Sequence, residues 1–250
     1  MEFLPAKIFI FILVLTRVSA FFLAIPIFGS PSIPAQIRAA MVMILAIFFS
    51  VFLPVSPAMY DKSPIEMVIM ICSEACIGLM MGIVVACVFG VIKIAGEMAE
   101  REMGLTLSEV LDPMTGESGQ PVALLLEMFF ILLFFSADGH LMFLRMMHKS
   151  FVIFTPGVFA DIPAMTEAVL NATSVILIAS LRLAAPMFGA FLLLTITLAV
   201  LARITPEMNI LFISLPMKIS LGLMMLAVAT PLINDFVAEF ADWMAKLLPM

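Results

Sequence analysis

The sequence predicts an all-α, membrane-associated bundle of long, broken helices and helical hairpins, with a polar loop in the middle. Three observations carry that prediction. The 250 residues are 64% hydrophobic and only 12% charged, with a mean hydropathy of +1.24, far outside the usage of soluble domains. The apolar residues gather into runs that reach or exceed the roughly 20 residues a helix needs to cross hydrocarbon. One polar stretch, Ala95 to Pro121, interrupts those runs near the middle of the chain.

The first run, Ile8 to Phe28, carries Arg17 in its interior and ends in a Pro26, Pro31, Pro34 stretch that forbids a continuous helix. Lys7, the run after it and Val18-Ser19-Ala20 imitate a signal peptide, but Arg17 falls inside the would-be recognition region and argues against removal. The second run, Ala39 to Leu53, begins after Arg38, is closed by Pro54 and Pro57, and is short for a span. The third, Ile65 to Ile94, is the longest. Gly78, Gly82, Ala86 and Gly90 recur in it at intervals of four, the small-xxx-small pattern that lets helix backbones approach closely in apolar surroundings. Glu74 lies one turn earlier on that face and requires a partner, because an ionised carboxylate facing lipid costs several kcal/mol (roughly 2 or more). Cys72, Cys76 and Cys87 share the segment and are expected to be buried free thiols.

The polar stretch holds six acidic residues, Glu97, Glu100, Glu102, Glu109, Asp112 and Glu117, against Arg101 alone. Ser108 to Leu111 reads as a short helix entering a turn, where Pro113 fixes its φ and Gly116 accepts a positive one. Two readings stand: a solvated connector between membrane segments, or a mobile element inside a pore.

Val122 to Phe154 reads as a helix too long for one span, weakest at Ala137 to His140. If it continues through Gly139, Glu127, Asp138, Arg145 and Lys149 form a stripe that is either a protein-buried charge network or the lining of an aqueous path. His140 and His148 lack metal-ligand spacing and read as hydrogen-bonded structural residues. Pro156 and Pro163 bracket a turn. Val169 to Ile204 and Ile210 to Ile233 then form a hairpin, broken beside Arg182 at Pro186, and at Pro216, beside Lys218, and Pro231. Broken helices at membrane depth are tolerated only where protein or water satisfies the freed carbonyls. The expected buried charges are therefore Arg17, Glu74, Glu127, Asp138, Arg182 and Lys218. Asp235 to Leu248 closes the chain as an amphipathic helix lying on a membrane or a partner, with Phe236, Val237, Phe240 and Trp243 on its apolar face.

The net charge of -6 forms no basic stripe, which argues against a nucleic-acid partner. No HExxH, paired intramembrane aspartates or glycine-flanked serine suggests an enzyme, and no cofactor is expected. A secondary transporter using Glu74, Glu127, Asp138 and Arg182 is the competing class, though no internal symmetry supports it.

Several short motifs in a fixed order resemble the FliR family over essentially the whole chain. They are Arg17 with Pro26, Pro34 and Arg38; Gly96-Glu97 with Met103-Gly104-Leu105; and Asp112-Pro113 with Gly116. Gly139-His140 with Ser150-Phe151 and Pro156-Gly157, then Ala185-Pro186, Pro206 with Asn209, and Pro216 with Lys218 complete the set. FliR proteins are export-gate subunits of the bacterial flagellar type III secretion system, related to the SctT subunits of injectisomes. The resemblance implies a FliP-like half over residues 1–160, including the plug loop 95–121, and a FliQ-like hairpin over residues 161–250. It implies FliP-like and FliQ-like partner subunits, FlhB-like and FlhA-like export components, unfolded protein substrates, and a place in the inner membrane at the flagellar basal body. It also implies that Gly104 to Gln120 plugs the central pore, with Gly104, Leu105, Leu107, Leu111, Asp112, Pro113, Met114 and Gly116 in the plug.

Overall fold

The computed structural model describes residues 3–29, 33–53, 63–105, 120–157, 162–207 and 209–246. These form an all-α bundle: α1 Phe3–Ala24, α2 Pro26–Gly29, α3 Ala35–Phe52, α4 Pro64–Met103, α5 Pro121–Ser136, α6 Gly139–Ile153, α7 Ile162–Ile204 and α8 Ile210–Lys246. Among the described residues five helices are long and apolar enough to cross a membrane, or six spans if the bent pair α5 and α6 counts as one. The expected Ser108 to Leu111 helix and plug residues Leu107, Leu111, Asp112, Pro113, Met114 and Gly116 lie outside the described residues.

Helix boundaries correct the sequence reading in three places and bear out its weak point at Ala137 to His140. α3 begins at Ala35, directly after Pro34, and its 18 residues suffice for a span where the shorter reading did not. α4 runs nine residues into the polar stretch, through Glu97 and Glu100 to Met103, because Glu, Met, Ala and Arg are good helix formers. The long helix expected after Pro121 does break: α5 ends at Ser136, and Asp138 takes a φ of 57° before α6 starts. That left-handed residue destroys the common wheel on which Glu127, Asp138, Arg145 and Lys149 would have lined up. The prolines of the last third, by contrast, break nothing. Pro186 lies inside α7, while Pro216 and Pro231 lie inside α8, which runs unbroken into the amphipathic end. Each proline frees the carbonyl four residues earlier, at Arg182, Phe212 and Ala227, a defect that membrane helices tolerate. Pro163 occupies the second position of α7, where its missing N–H has no helical partner to lose.

The described residues divide into two compact units, neither a continuous stretch. One comprises residues 1–88, 141–174 and 244–250, the other residues 89–140 and 175–243. This spatial grouping is a different property from the similarity-based halves 1–160 and 161–250, and it interleaves their residues.

In the first unit α1 is the central helix, with Leu13, Val14, Val18 and Phe21 fully buried. α4 lies against it at two glycines. A β-carbon at Gly78 would collide with the Arg17 carbonyl oxygen and stand 2.9 Å from Ala20 Cβ; one at Gly82 would collide with Ala24 Cβ and stand 2.9 Å from the Phe21 carbonyl oxygen. Only hydrogen fits at either place, which is the close approach that the spacing of four permits. Among the described residues a β-carbon at Gly90 would meet nothing within 4 Å, so Gly90 is not packed as Gly78 and Gly82 are.

The second unit is built on aromatic rings and methionines. Phe89 meets Phe130 edge-on at 5.1 Å and Phe134 at 5.8 Å, and Phe130 packs against Phe236 at 6.2 Å. Phe236, Val237 and Phe240 are buried, so part of the apolar face at the C-terminal end packs within its own unit rather than on a membrane or another protein. Threonine hydroxyls along α7 and α8, at Thr195, Thr197 and Thr230, donate to carbonyls four residues earlier, which satisfies them without leaving the helix.

Candidate functional site

The central segment is fixed at both ends in one core of the second unit. α4 ends in a two-bond turn: the Gly104 N–H donates to the Arg101 carbonyl at 3.0 Å, and the Leu105 N–H to the Glu100 carbonyl at 3.2 Å. This Schellman pattern needs a left-handed residue, and Gly104 supplies it with φ 77°. Met103, just inside the cap, is buried with Ala99, Val122, Met187 and Phe191; Leu105, Ile219, Leu221, Met225 and Leu226 pack around them. Val122 is the second residue of α5, so the departing and returning strands of the segment share a core. Gly96 of α4 lies so close to α5 that a β-carbon there would stand 2.5 Å from Ala123 Cα. At the departing end, Met103 lies against Gly222 of α8. A β-carbon at Gly222 would collide with Met103 Sδ and stand 2.5 Å from its Cγ and 2.8 Å from its Cε.

The first unit holds the deepest polar cluster. Arg17 and Glu74 are 0% and 1% exposed, and the Arg17 Nε–H donates to Glu74 Oε2 at 2.5 Å. Arg17 Nη1 donates to the carbonyl and hydroxyl oxygens of Ser150 at 3.0 and 3.2 Å, and Nη2 to the Phe154 carbonyl at 2.9 Å. The guanidinium also lies 4.5 Å from the centre of the Phe151 ring. Glu74 Oε1 accepts the Gly157 N–H at 3.3 Å. The arginine thus satisfies carbonyls at the end of α6, where a cation is favoured, and the glutamate fixes the turn that follows. Glu74 meets the partner it requires, within its own chain.

The other expected buried charges sit differently. Glu127 and Lys218 are half-buried, and Asp138 and Arg182 are exposed on this chain, as is Arg145. Asp138 is exposed because it occupies the break between α5 and α6. Glu100 is buried instead, at 2% exposure. Cys72 and Cys76 are exposed free thiols, and only Cys87 is half-buried. They lie on the side of α4 away from Glu74, Gly78 and Gly82. His140 stacks on Phe135 at 5.8 Å. Among the described residues, no three His, Cys, Asp or Glu side chains converge as a metal site requires.

Sequence reasoning missed the Met103–Gly222 contact and the roles of Ser150, Phe154 and Gly157. A lone glycine at 222 in an apolar helix was the available signal for the first. For the second, nothing in helical periodicity connects residues 133 and 137 positions apart.

Residues 8–244 match the family described as bacterial export proteins, family 1. The chain is 27% identical to the flagellar biosynthetic protein FliR of Bacillus subtilis, over 89% of this chain and 86% of that protein. It is 28% identical to the FliR of Pectobacterium carotovorum, over 93% and 90%. It is 27% identical to the Yop proteins translocation protein T of Yersinia pestis, over 86% and 84%. A match over nearly the whole length, on a chain of long apolar helices, places this protein in family 1 of the bacterial export proteins.

Proposed function

We propose that this chain is a subunit of the flagellar type III protein export gate, and that Gly104 to Gln120 plugs the pore through which unfolded flagellar proteins pass. One observation carries this reading: the segment leaves and re-enters a single apolar core, through Met103 and Leu105 on one side and Val122 on the other. A plug needs fixed feet on its scaffold. Met103, Leu105 and Val122 supply them in this core.

The chain works without cofactor or catalysis, in company with FliP-like and FliQ-like subunits and with FlhB-like and FlhA-like components, in the inner membrane at the basal body. Exposed apolar side chains such as Phe48, Phe52, Leu132 and Phe212 suit burial against lipid and such neighbours. Residues 1–160 would correspond to a FliP-like half and 161–250 to a FliQ-like hairpin. The likeness to the Yersinia translocation protein supports a second reading, the equivalent gate of an injectisome. A secondary transporter is disfavoured, because Arg17 and Glu74 commit their hydrogen bonds to each other and to backbone.

Deleting Leu107 to Glu117 tests the plug while leaving both of its feet, Met103 to Leu105 and Val122, in the chain. The expected result is an assembled complex whose resting membrane conducts ions well above wild type. Normal assembly with no excess conductance would overturn the plug and leave a solvated connector.

A further inference from the structure

We infer that the outward face of α5 is a docking surface for an apolar helix of another subunit, and that this helix brings a lysine or arginine to Glu127. The inference rests on the reading that the chain is one subunit of a larger assembly, and it adds the chemistry by which a neighbour is recognised. Glu127 is the one charged residue of α5. A helix that is apolar on all sides belongs in lipid or inside an assembly, and an ionised carboxylate is costly in either place unless a cation meets it. Among the described residues no cation meets the Glu127 carboxylate, and none donates a hydrogen bond to it.

The geometry of the helix says where that cation must come from. The inward side of α5 is occupied: Ala123 lies against Gly96, and Phe130 and Phe134 pack on Phe89. The other side, with Leu124, Met128 and Leu132, is exposed. Glu127 stands at the margin, half-buried and about 60° round the helix from Leu124, so a helix laid along Leu124 and Met128 passes beside its carboxylate. Six residues separate Glu127 from the start of α5 and nine from its end, about 9 and 14 Å along the axis. A glutamate side chain is too short to reach a lipid headgroup over that distance. The long stem of a lysine or arginine, by contrast, can lie along the apolar face and deliver its charge from the side. Such a polar contact fixes one register between helices whose apolar surfaces would pack in several.

The test uses the complete complex, co-expressed in membranes and purified through a tag on this chain. Glu127→Gln keeps the size and removes the charge; recovery of the other subunits with the chain is expected to fall several-fold, and Glu127→Arg to abolish it. The full chain expressed without the other subunits is the control. Its amount in the membrane is expected to be the same with Glu127→Gln as with wild type, since the carboxylate has no partner among the described residues of its own fold. A photoreactive phenylalanine analogue at position 128 is expected to join the chain to another subunit of the purified complex. Full recovery with either Glu127 variant would overturn the ion pair. An equal fall of the chain expressed alone would overturn it too, making the carboxylate a part of this chain's own packing. Cross-links to lipid alone would overturn the docking surface. A wild-type chain that purifies without companions would overturn the subunit reading instead.

Discussion

Two glycine contacts, one in each compact unit, differ in what lies opposite. At Gly78 the opposing atom is the carbonyl oxygen of Arg17, part of a helix backbone; at Gly222 it is the side chain of Met103. Backbone in a packed helix cannot retreat without moving the whole element, whereas a methionine has three rotatable bonds. The units differ in the same sense more widely. The first is fixed by a buried ion pair with directional bonds to backbone or hydroxyl groups of three other residues, Ser150, Phe154 and Gly157. The second is packed from phenylalanines and methionines, whose contacts are largely non-directional.

The largest expected effect lies in the rigid unit. Arg17→Met leaves Glu74 buried without its counter-charge, a class of change that costs about 3–5 kcal/mol. Folded protein recovered from detergent extracts should fall sharply, and Arg17→Met with Glu74→Leu should recover much of it. A single variant as stable as wild type would remove the distinction between the units.

Next comes a matched pair of small additions. Gly78→Ala drives a methyl into the Arg17 carbonyl, and overpacking of this kind costs about 1–3 kcal/mol. Gly222→Ala should cost under about 1 kcal/mol, because Met103 can shift. Thermal unfolding of the two variants in the same detergent decides the matter. Equal losses would show that the methionine is as unyielding as the backbone.

How much of this was legible from the residues depended on range. Apolar runs of helical length disclosed the all-α membrane fold, and the spacing of Gly78 and Gly82 disclosed a face on which backbones approach. Glu74 disclosed its need for a partner, but Arg17 could not be chosen as that partner, since it is 57 residues away. Proline was over-read. Pro186, Pro216 and Pro231 remove hydrogen bonds without ending their helices, because an apolar helix has nowhere better to place its remaining polar groups. Asp138 was under-read: one residue with positive φ separated charges that periodicity had placed together. The residues between Leu105 and Gln120 take their proposed role from resemblance and from the core that their two feet share, and that sharing became visible only as packing in three dimensions.

The Arg17 cluster also has a schedule. Glu74 follows Arg17 by 57 residues and Phe154 follows it by 137, so at synthesis rates of about 5–20 residues per second the last partner emerges roughly 7–27 s after the arginine. Until Glu74 emerges, roughly 3–11 s after the arginine, the first apolar helix carries a cation with no mate, and a lone arginine at mid-helix opposes insertion by about 2.5–3.5 kcal/mol. The newborn helix is therefore a poor tenant of the bilayer by itself. It is neutralised when Glu74 arrives on α4 and fully hydrogen-bonded only when Ser150 and Phe154 follow, which ties the final seating of the N-terminus to completion of α6.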